Sequence, residues 1–169
     1  MSDRATAHSS VPTPFVSSEM RVEPQWIDYN GHLNMAYYNV LFDRAIDELL
    51  QSLGMGTDYV VQQRRSMFAA EVHLRYLREL REGNPVRVSV QLIDCDAKRV
   101  HTFAQLMHAK EKWLSATSEN MSLHVDLDAK KTAPFSPDVA ARLAAMKAAH
   151  AKLPLPEGAG RRIAMPAKA

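Results

Sequence analysis

One long helix wrapped by an antiparallel sheet, an α+β layout, is the fold class this chain predicts, and three observations carry it. The hydrophobic period changes once, from helical spacing between Tyr38 and Leu50 to strand-like alternation from Met67 to about Asp128. The alternating runs follow one another with only short turn signals between them, which suits antiparallel neighbours rather than parallel strands with long crossovers. The helix is apolar over much of its circumference, so it needs a sheet curved around it.

Each element can be placed in order. Residues 1–19 are rich in Ser, Thr and Pro and are expected to form a flexible tail ahead of a single domain over 20–150. Arg21 to Ile27, punctuated by Pro24, reads as an edge strand. The helix follows, with Tyr38, Leu41, Phe42, Ala45, Ile46, Leu49 and Leu50 on its apolar face and Gly54 and Gly56 at its stop. In the first long strand Phe68, Ala70, Val72, Leu74 and Tyr76 share one face, while Glu71, His73 and Arg75 share the other. Gly83-Asn84-Pro85 closes that run. Val86, Val88, Val90 and Leu92 alternate in the next; Val100 to His108 and Leu114 to Val125 complete the sheet at five strands. Asp138 to Lys152 is an Ala-rich surface helix starting near Ser136-Pro137. Residues 151–169, with three prolines, two glycines and four basic side chains, are expected to form a second flexible tail.

Composition removes several function classes. The 21 basic and 19 acidic residues leave a net charge of +2, too balanced for a nucleic-acid footprint. No apolar run approaches the roughly 20 residues a membrane helix needs. The N-terminus lacks the apolar core of a signal peptide, and Cys95, the single cysteine, can form no internal disulfide, so a cytoplasmic protein is expected. His73, His101, His108 and His124 show no metal-ligand spacing, and there is neither a GxSxG elbow nor a phosphate-binding glycine loop. No metal and no cofactor are called for. Cys95, flanked by Asp94 and Asp96, is a poor nucleophile.

The chemistry concentrates where a polar turn, Asp28-Tyr29-Asn30-Gly31-His32-Leu33-Asn34, runs into the apolar helix. Asn34 suits the N-cap, leaving free amides and a partial positive charge that can hold a developing oxyanion. Gly31 leaves the backbone open to close approach, and Asp28 can present its carboxylate to whatever sits on the helix end. The alternative is that Asp28, His32 and Asn34 only satisfy the turn's backbone. Glu119 lies on the strand face of Met121, Leu123 and Val125; if that face meets the core, Glu119 sits at its rim, either ion-paired or serving a site. Asp43, on the helix, reads as solvated.

The combination of Asp28, Gly31, His32 and Asn34 with the run from Tyr37 to Ala45 and four following strands resembles the hotdog-fold acyl-CoA thioesterases of the 4-hydroxybenzoyl-CoA thioesterase type, over roughly residues 21–135. More narrowly, WIDYNGHLNMAYY, the Ser66-to-His73 run, DAKRVHTF and ATSENMSLHVD resemble the betainyl-CoA thioesterases of carnitine breakdown, which also occur fused to carnitine dehydrogenase. The resemblance implies a homodimer or homotetramer with a sheet continuous across two subunits, and acyl-CoA sites at their interface. It also implies a catalytic carboxylate in the turn, here Asp28, acting as nucleophile or general base, with Asp43 as the position comparable to relatives that carry the carboxylate on the helix. Trp26, Tyr29, Tyr37, Tyr38 and Phe68 supply aromatic faces on which a trimethylammonium group can rest. The alternatives are a general short-chain or aromatic acyl-CoA thioesterase, or a hotdog module that binds acyl-CoA without catalysis.

Overall fold

The computed structural model describes residues 11–165. Its first long element is helix α1, Met35–Ser52, capped by Asn34, which has an extended backbone and whose Oδ1 accepts a hydrogen bond from Ala36 N–H at 3.0 Å. Tyr38, Leu41, Phe42, Ala45 and Leu49 are buried at helical spacing. Asn39, Asp43, Arg44 and Asp47 stay exposed, so one stripe of the helix meets water while the sheet curves over the rest. Gly54, at φ +76, ends the helix, and Met55 N–H returns to Leu50 O at 2.8 Å.

The sheet is antiparallel throughout, in the order β1 (Phe15–Val16), β4 (Pro85–Cys95), β5 (Arg99–His108), β6 (Leu114–Asp126), β3 (Arg65–Tyr76). Two short pieces extend these five rows: β2 (Met20–Arg21) lies along β4 beside β1, and β7 (Lys131–Thr132) pairs with β6. Val86, Val88, Val90 and Leu92 of β4 point into the core, where α1 lies on one side of their row and helix α3, Pro137–His150, packs against the same strand. Helix α3 contributes Val139, Leu143, Met146 and His150 to the buried interior.

Several expectations need correction. The edge strand over Arg21 to Ile27 stops after Arg21, because Pro24 fixes its own φ, lacks an N–H and opens a single 3-10 turn, Pro24–Trp26. Helix α2, Thr57–Gln63, stands where no element is expected. The first tail is partly built in: Phe15, its one large apolar side chain among residues 11–19 besides Val11 and Val16, is buried and pairs with Val90, while residues 1–10 lie outside the described residues. The second tail returns to the sheet, where Gln91 Nε2 donates to Pro154 O at 3.3 Å and Gly160 N–H donates to the Glu119 carboxylate. Residues 166–169 lie outside the described residues.

A β-bulge decides which side chains can reach the helix. In β3, Ala69 pairs with Ser122 and Glu71 with Met121, which leaves Ala70 as the extra residue. Before the bulge the odd positions face inward and Met67 packs on the core; after it the even positions do, and Leu74 packs there. The single face expected for Phe68 through Tyr76 is therefore split. Phe68 lies on the outer face with Val125 and Leu127. On β6 the inward positions are the polar ones, Ser118 and Ser122 with His124, so the Met121 and Glu119 face is the outer one.

Candidate active site

The turn before α1 is shaped by its own backbone. Gly31 sits at φ +78, a left-handed position that favours glycine, and its N–H donates to Asp28 O at 3.0 Å. Asp28 N–H donates to His32 O at 3.0 Å, Leu33 N–H to Leu80 O at 2.8 Å, and Asn34 N–H to Trp26 O at 2.9 Å. These bonds tie the turn to the segment that follows β3. The pocket thus formed, about 340 Å³, is lined by Asp28, His32, Leu33, Met35, Tyr38, Tyr76, Leu77, Arg78 and Glu79.

What the turn leaves unpaired defines its chemistry. Asp28 Oδ1 accepts from Asn30 N–H at 2.8 Å, and Oδ2 has no partner among the described residues. Of the amides from Gly31 to Met35, those of Gly31, Leu33 and Asn34 are engaged, whereas His32 N–H and Met35 N–H meet no acceptor among the described residues. The first turn of α1 carries no acidic side chain, so its partial positive charge is not neutralised locally. A carboxylate oxygen and an unpaired helix-end amide in one cleft are the parts an acyl-transfer centre needs.

Not all of the expected residues meet there. Asp28, His32 and Tyr38 line the cleft, and Asn34 serves it as the helix cap. Tyr38 is buried; its hydroxyl accepts from Leu80 N–H at 3.2 Å, its ring meets Tyr76 edge-on at 5.1 Å, and burial pushes its pKa up. Tyr29 stands 97% exposed beside the cleft. Trp26, only 5% exposed, stacks on Tyr37 at 5.6 Å and carries the Arg44 guanidinium 4.9 Å from its ring, so Trp26 offers a second cation no open face, while Tyr37 is half-buried and gives one face to Trp26. Phe68 is held on the outer face by the bulge. Glu119 is there too, paired by His101 Nε2 at 2.8 Å and by Gly160 N–H, so its partners are neither Arg nor Lys and it lies outside this cleft. It borders a cavity of about 530 Å³, which the returning C-terminal segment forms against Glu71, His73 and His101.

The residues that sequence reasoning missed come from one segment, Tyr76 to Glu79. The signal was faint: Leu80 is a lone apolar residue between Glu79 and Arg81, and it is fully buried. Tyr76 hydroxyl donates to Met35 O at 3.2 Å, and Glu79 Oε1 lies 3.2 Å from His32 Nε2. Cys95 is remote from the turn, and burial, aided by Asp94 and Asp96, raises its thiol pKa.

A hotdog fold with a carboxylate and an open amide at the start of its central helix defines a thioesterase-type protein. The chain belongs to the thioesterase-like superfamily, whose sequence model matches residues 22–143. It is 42% identical over 148 residues to the betainyl-CoA thioesterase of Pseudomonas aeruginosa, covering 88% of this chain and 93% of that one. Among solved structures, a candidate thioesterase of Pseudomonas putida KT2440 is 34% identical with a TM-score of 0.78, covering 91% of this chain and 98% of that one. A Staphylococcus aureus protein solved in complex with CoA is 26% identical with a TM-score of 0.83, covering 90% of this chain and 96% of that one.

Proposed function

We propose that the protein hydrolyses a short acyl-CoA thioester, with betainyl-CoA as the substrate and glycine betaine and CoA as products. The observation that carries this reading is that Asp28 and Met35, the latter with an unpaired N–H among the described residues, line one cleft in a chain 42% identical to a betainyl-CoA thioesterase. The thioester carbonyl oxygen gains negative charge as its carbon is attacked, and Met35 N–H at the positive end of α1 receives it. Asp28 supplies the attacking group, either its own Oδ2 or a water whose proton it accepts. The C–S bond then breaks and the thiolate of CoA leaves, taking up the proton that Asp28 accepted on the second route; on the first it leaves a mixed anhydride on Asp28, which water cleaves to glycine betaine and the free carboxylate. A single turnover in heavy-oxygen water, with hydroxylamine trapping alongside, separates the two routes: label in the Asp28 carboxylate or a trapped acyl-enzyme marks direct attack, and label in glycine betaine alone with nothing trapped marks general base catalysis.

The working unit in this reading is a homodimer. Among the described residues, strand β3 pairs with β6 along one edge and has no strand along the other, where Phe68, Val72 and Tyr76 are exposed. Tyr76 also lines the cleft, and Met35 beside it is 65% exposed. A second copy added antiparallel along β3 would cover both and exclude water from the thioester. Light scattering should then give at least twice the 18.9 kDa chain mass. The activity itself is tested by free-thiol release from a panel of short, cationic and aromatic acyl-CoAs. Release from none of them, with acyl-CoA binding retained, would leave only a binding module.

A further inference from the structure

The cleft holds a second carboxylate besides Asp28. Glu79 reaches the turn from the segment after β3, with Oε1 3.2 Å from His32 Nε2 and a side chain 54% exposed. Two cations border it: Arg78 lines the cleft with its guanidinium laid 4.0 Å over the Trp113 ring, and Arg81 Nη2 pairs with Glu79 Oε1 at 3.5 Å from a largely solvated side chain, a contact that water screens. The remaining walls are the rings of Tyr38 and Tyr76 and the apolar side chains of Leu33, Met35 and Leu77. Two acids and two aromatic rings in so small a space suit a cation that cannot donate a hydrogen bond.

The chemistry of the acyl group makes this placement matter. In a betainyl thioester one methylene separates the quaternary nitrogen from the carbonyl carbon, so any wall that faces the reacting carbon also faces the charge. A trimethylammonium group takes no hydrogen bond and is held by ring faces and by carboxylates at longer range. We propose that Glu79 is the specificity-determining residue that reads the positive charge of the acyl group, while Asp28 carries out the chemistry. This inference rests on the proposed thioesterase reading of the cleft. Glu79 also touches His32, so a purely positioning role in the turn is the competing account. The two differ in one readout: a positioning defect slows charged and neutral acyl groups alike, whereas a lost charge contact slows only the charged one.

The experiment compares kcat/KM of the wild type and Glu79→Gln on betainyl-CoA and on 3,3-dimethylbutyryl-CoA, its neutral isostere. The substitution keeps shape and removes charge at a partly exposed position. The preference for betainyl-CoA should fall about fivefold, the scale of a partly solvated charge pair, with the neutral substrate changed by less than about twofold and Glu79→Asp recovering part of the preference. Equal losses on both substrates, or no loss on either, overturn the proposal. A second arm does not depend on betainyl-CoA turnover: tetramethylammonium chloride is tested as an inhibitor of whichever acyl-CoA the enzyme hydrolyses. Inhibition weakened about fivefold in Glu79→Gln supports the charge contact; inhibition that is absent or unchanged overturns it. If wild type leaves betainyl-CoA intact, the substrate reading fails while this arm still decides the role of Glu79.

Discussion

The turn before α1 and the corner around His124 are both polar places set against the core, and they differ in how much of their hydrogen-bonding capacity is used. His124, wholly buried on β6, uses all of it: Ala133 O can only accept, so Nδ1–H donates to it at 2.7 Å, and Nε2 accepts from the Tyr59 hydroxyl at 2.8 Å. Its ring packs on Phe135 at 4.6 Å. At the turn, by contrast, Asp28 Oδ2 and Met35 N–H are left unpaired beside an open cleft. Unspent polar capacity, rather than polarity itself, separates a place that can react from one that only holds the fold.

The comparison is broken most sharply by Asp28→Asn. The turn keeps its shape, since an amide oxygen can still accept from Asn30 N–H, but the group that attacks or takes a proton is gone. Turnover should fall at least about 100-fold while the melting temperature changes little. A variant retaining most of the wild-type rate would move the chemistry away from the turn and remove the contrast altogether.

A smaller effect is expected where all capacity is spent. His150, fully buried on α3, accepts from Leu92 N–H at 2.8 Å through Nδ1, so its Nε2–H donates to Pro12 O at 2.7 Å. The Leu92 amide is free to be captured because the β4–β5 ladder shifts register between Leu92 and Asp94. One imidazole therefore ties α3, the bulged strand and the N-terminal segment together. In His150→Ala the buried Leu92 N–H loses its acceptor, at a cost of about 2–3 kcal/mol, which lowers Tm by roughly 5–10 °C in a chain of this size. The kcat/KM measured below the melting range should stay within about twofold of wild type. A large loss of activity at unchanged Tm would erase the division between the corners whose hydrogen bonds are all made and the reactive turn.

Much of this was legible in the chain. The long period of α1 and the alternation of the four long strands are strong signals because burial repeats along them at fixed spacing, and the cap at Asn34 follows from a local hydrogen bond. The turn was legible for the same reason. The face of β3 was not, since a one-residue bulge at Ala70 exchanges inside for outside without changing the alternation of the sequence. That is how Phe68 came to be expected near the site and lies on the outer face; Glu119 lies there for another reason, because β6 turns the polar Ser118, Ser122 and His124 inward. Trp26 fails differently: its ring is near the turn in sequence, but Tyr37 and Arg44 already occupy it. Tyr76 and Glu79 approach from nearly fifty residues downstream, brought in by the bonds of Leu33 N–H to Leu80 O, Leu80 N–H to the Tyr38 hydroxyl and the Tyr76 hydroxyl to Met35 O.

The smallest effect sharpens the comparison through pH. Burial pushes the His124 pKa below its ordinary value of 6.5, an effect reinforced by Arg65 and opposed by the Ala133 carbonyl and Asp126. A histidine with a lowered folded pKa stabilises the fold fully above about 6.5, its unfolded value, and that contribution is lost as pH falls through the folded value. The atoms say the same thing. Protonation places a hydrogen on Nε2, which can then no longer accept from Tyr59; the hydroxyl must turn to accept instead, and the contact that ties α2 to β6 is remade around a buried, poorly solvated charge. His124→Gln removes the titration, so the wild type should be the more stable of the two at pH 7.5, with the Tm gap narrowing towards pH 5. All other titrating groups are common to both proteins and cancel in the difference. Hydrogen exchange at the amides of Val60 to Arg64 should quicken over the same pH interval in the wild type alone. Parallel Tm curves across that range would mean that the charge state of His124 does not matter, and its buried contacts would then differ from the turn in packing only.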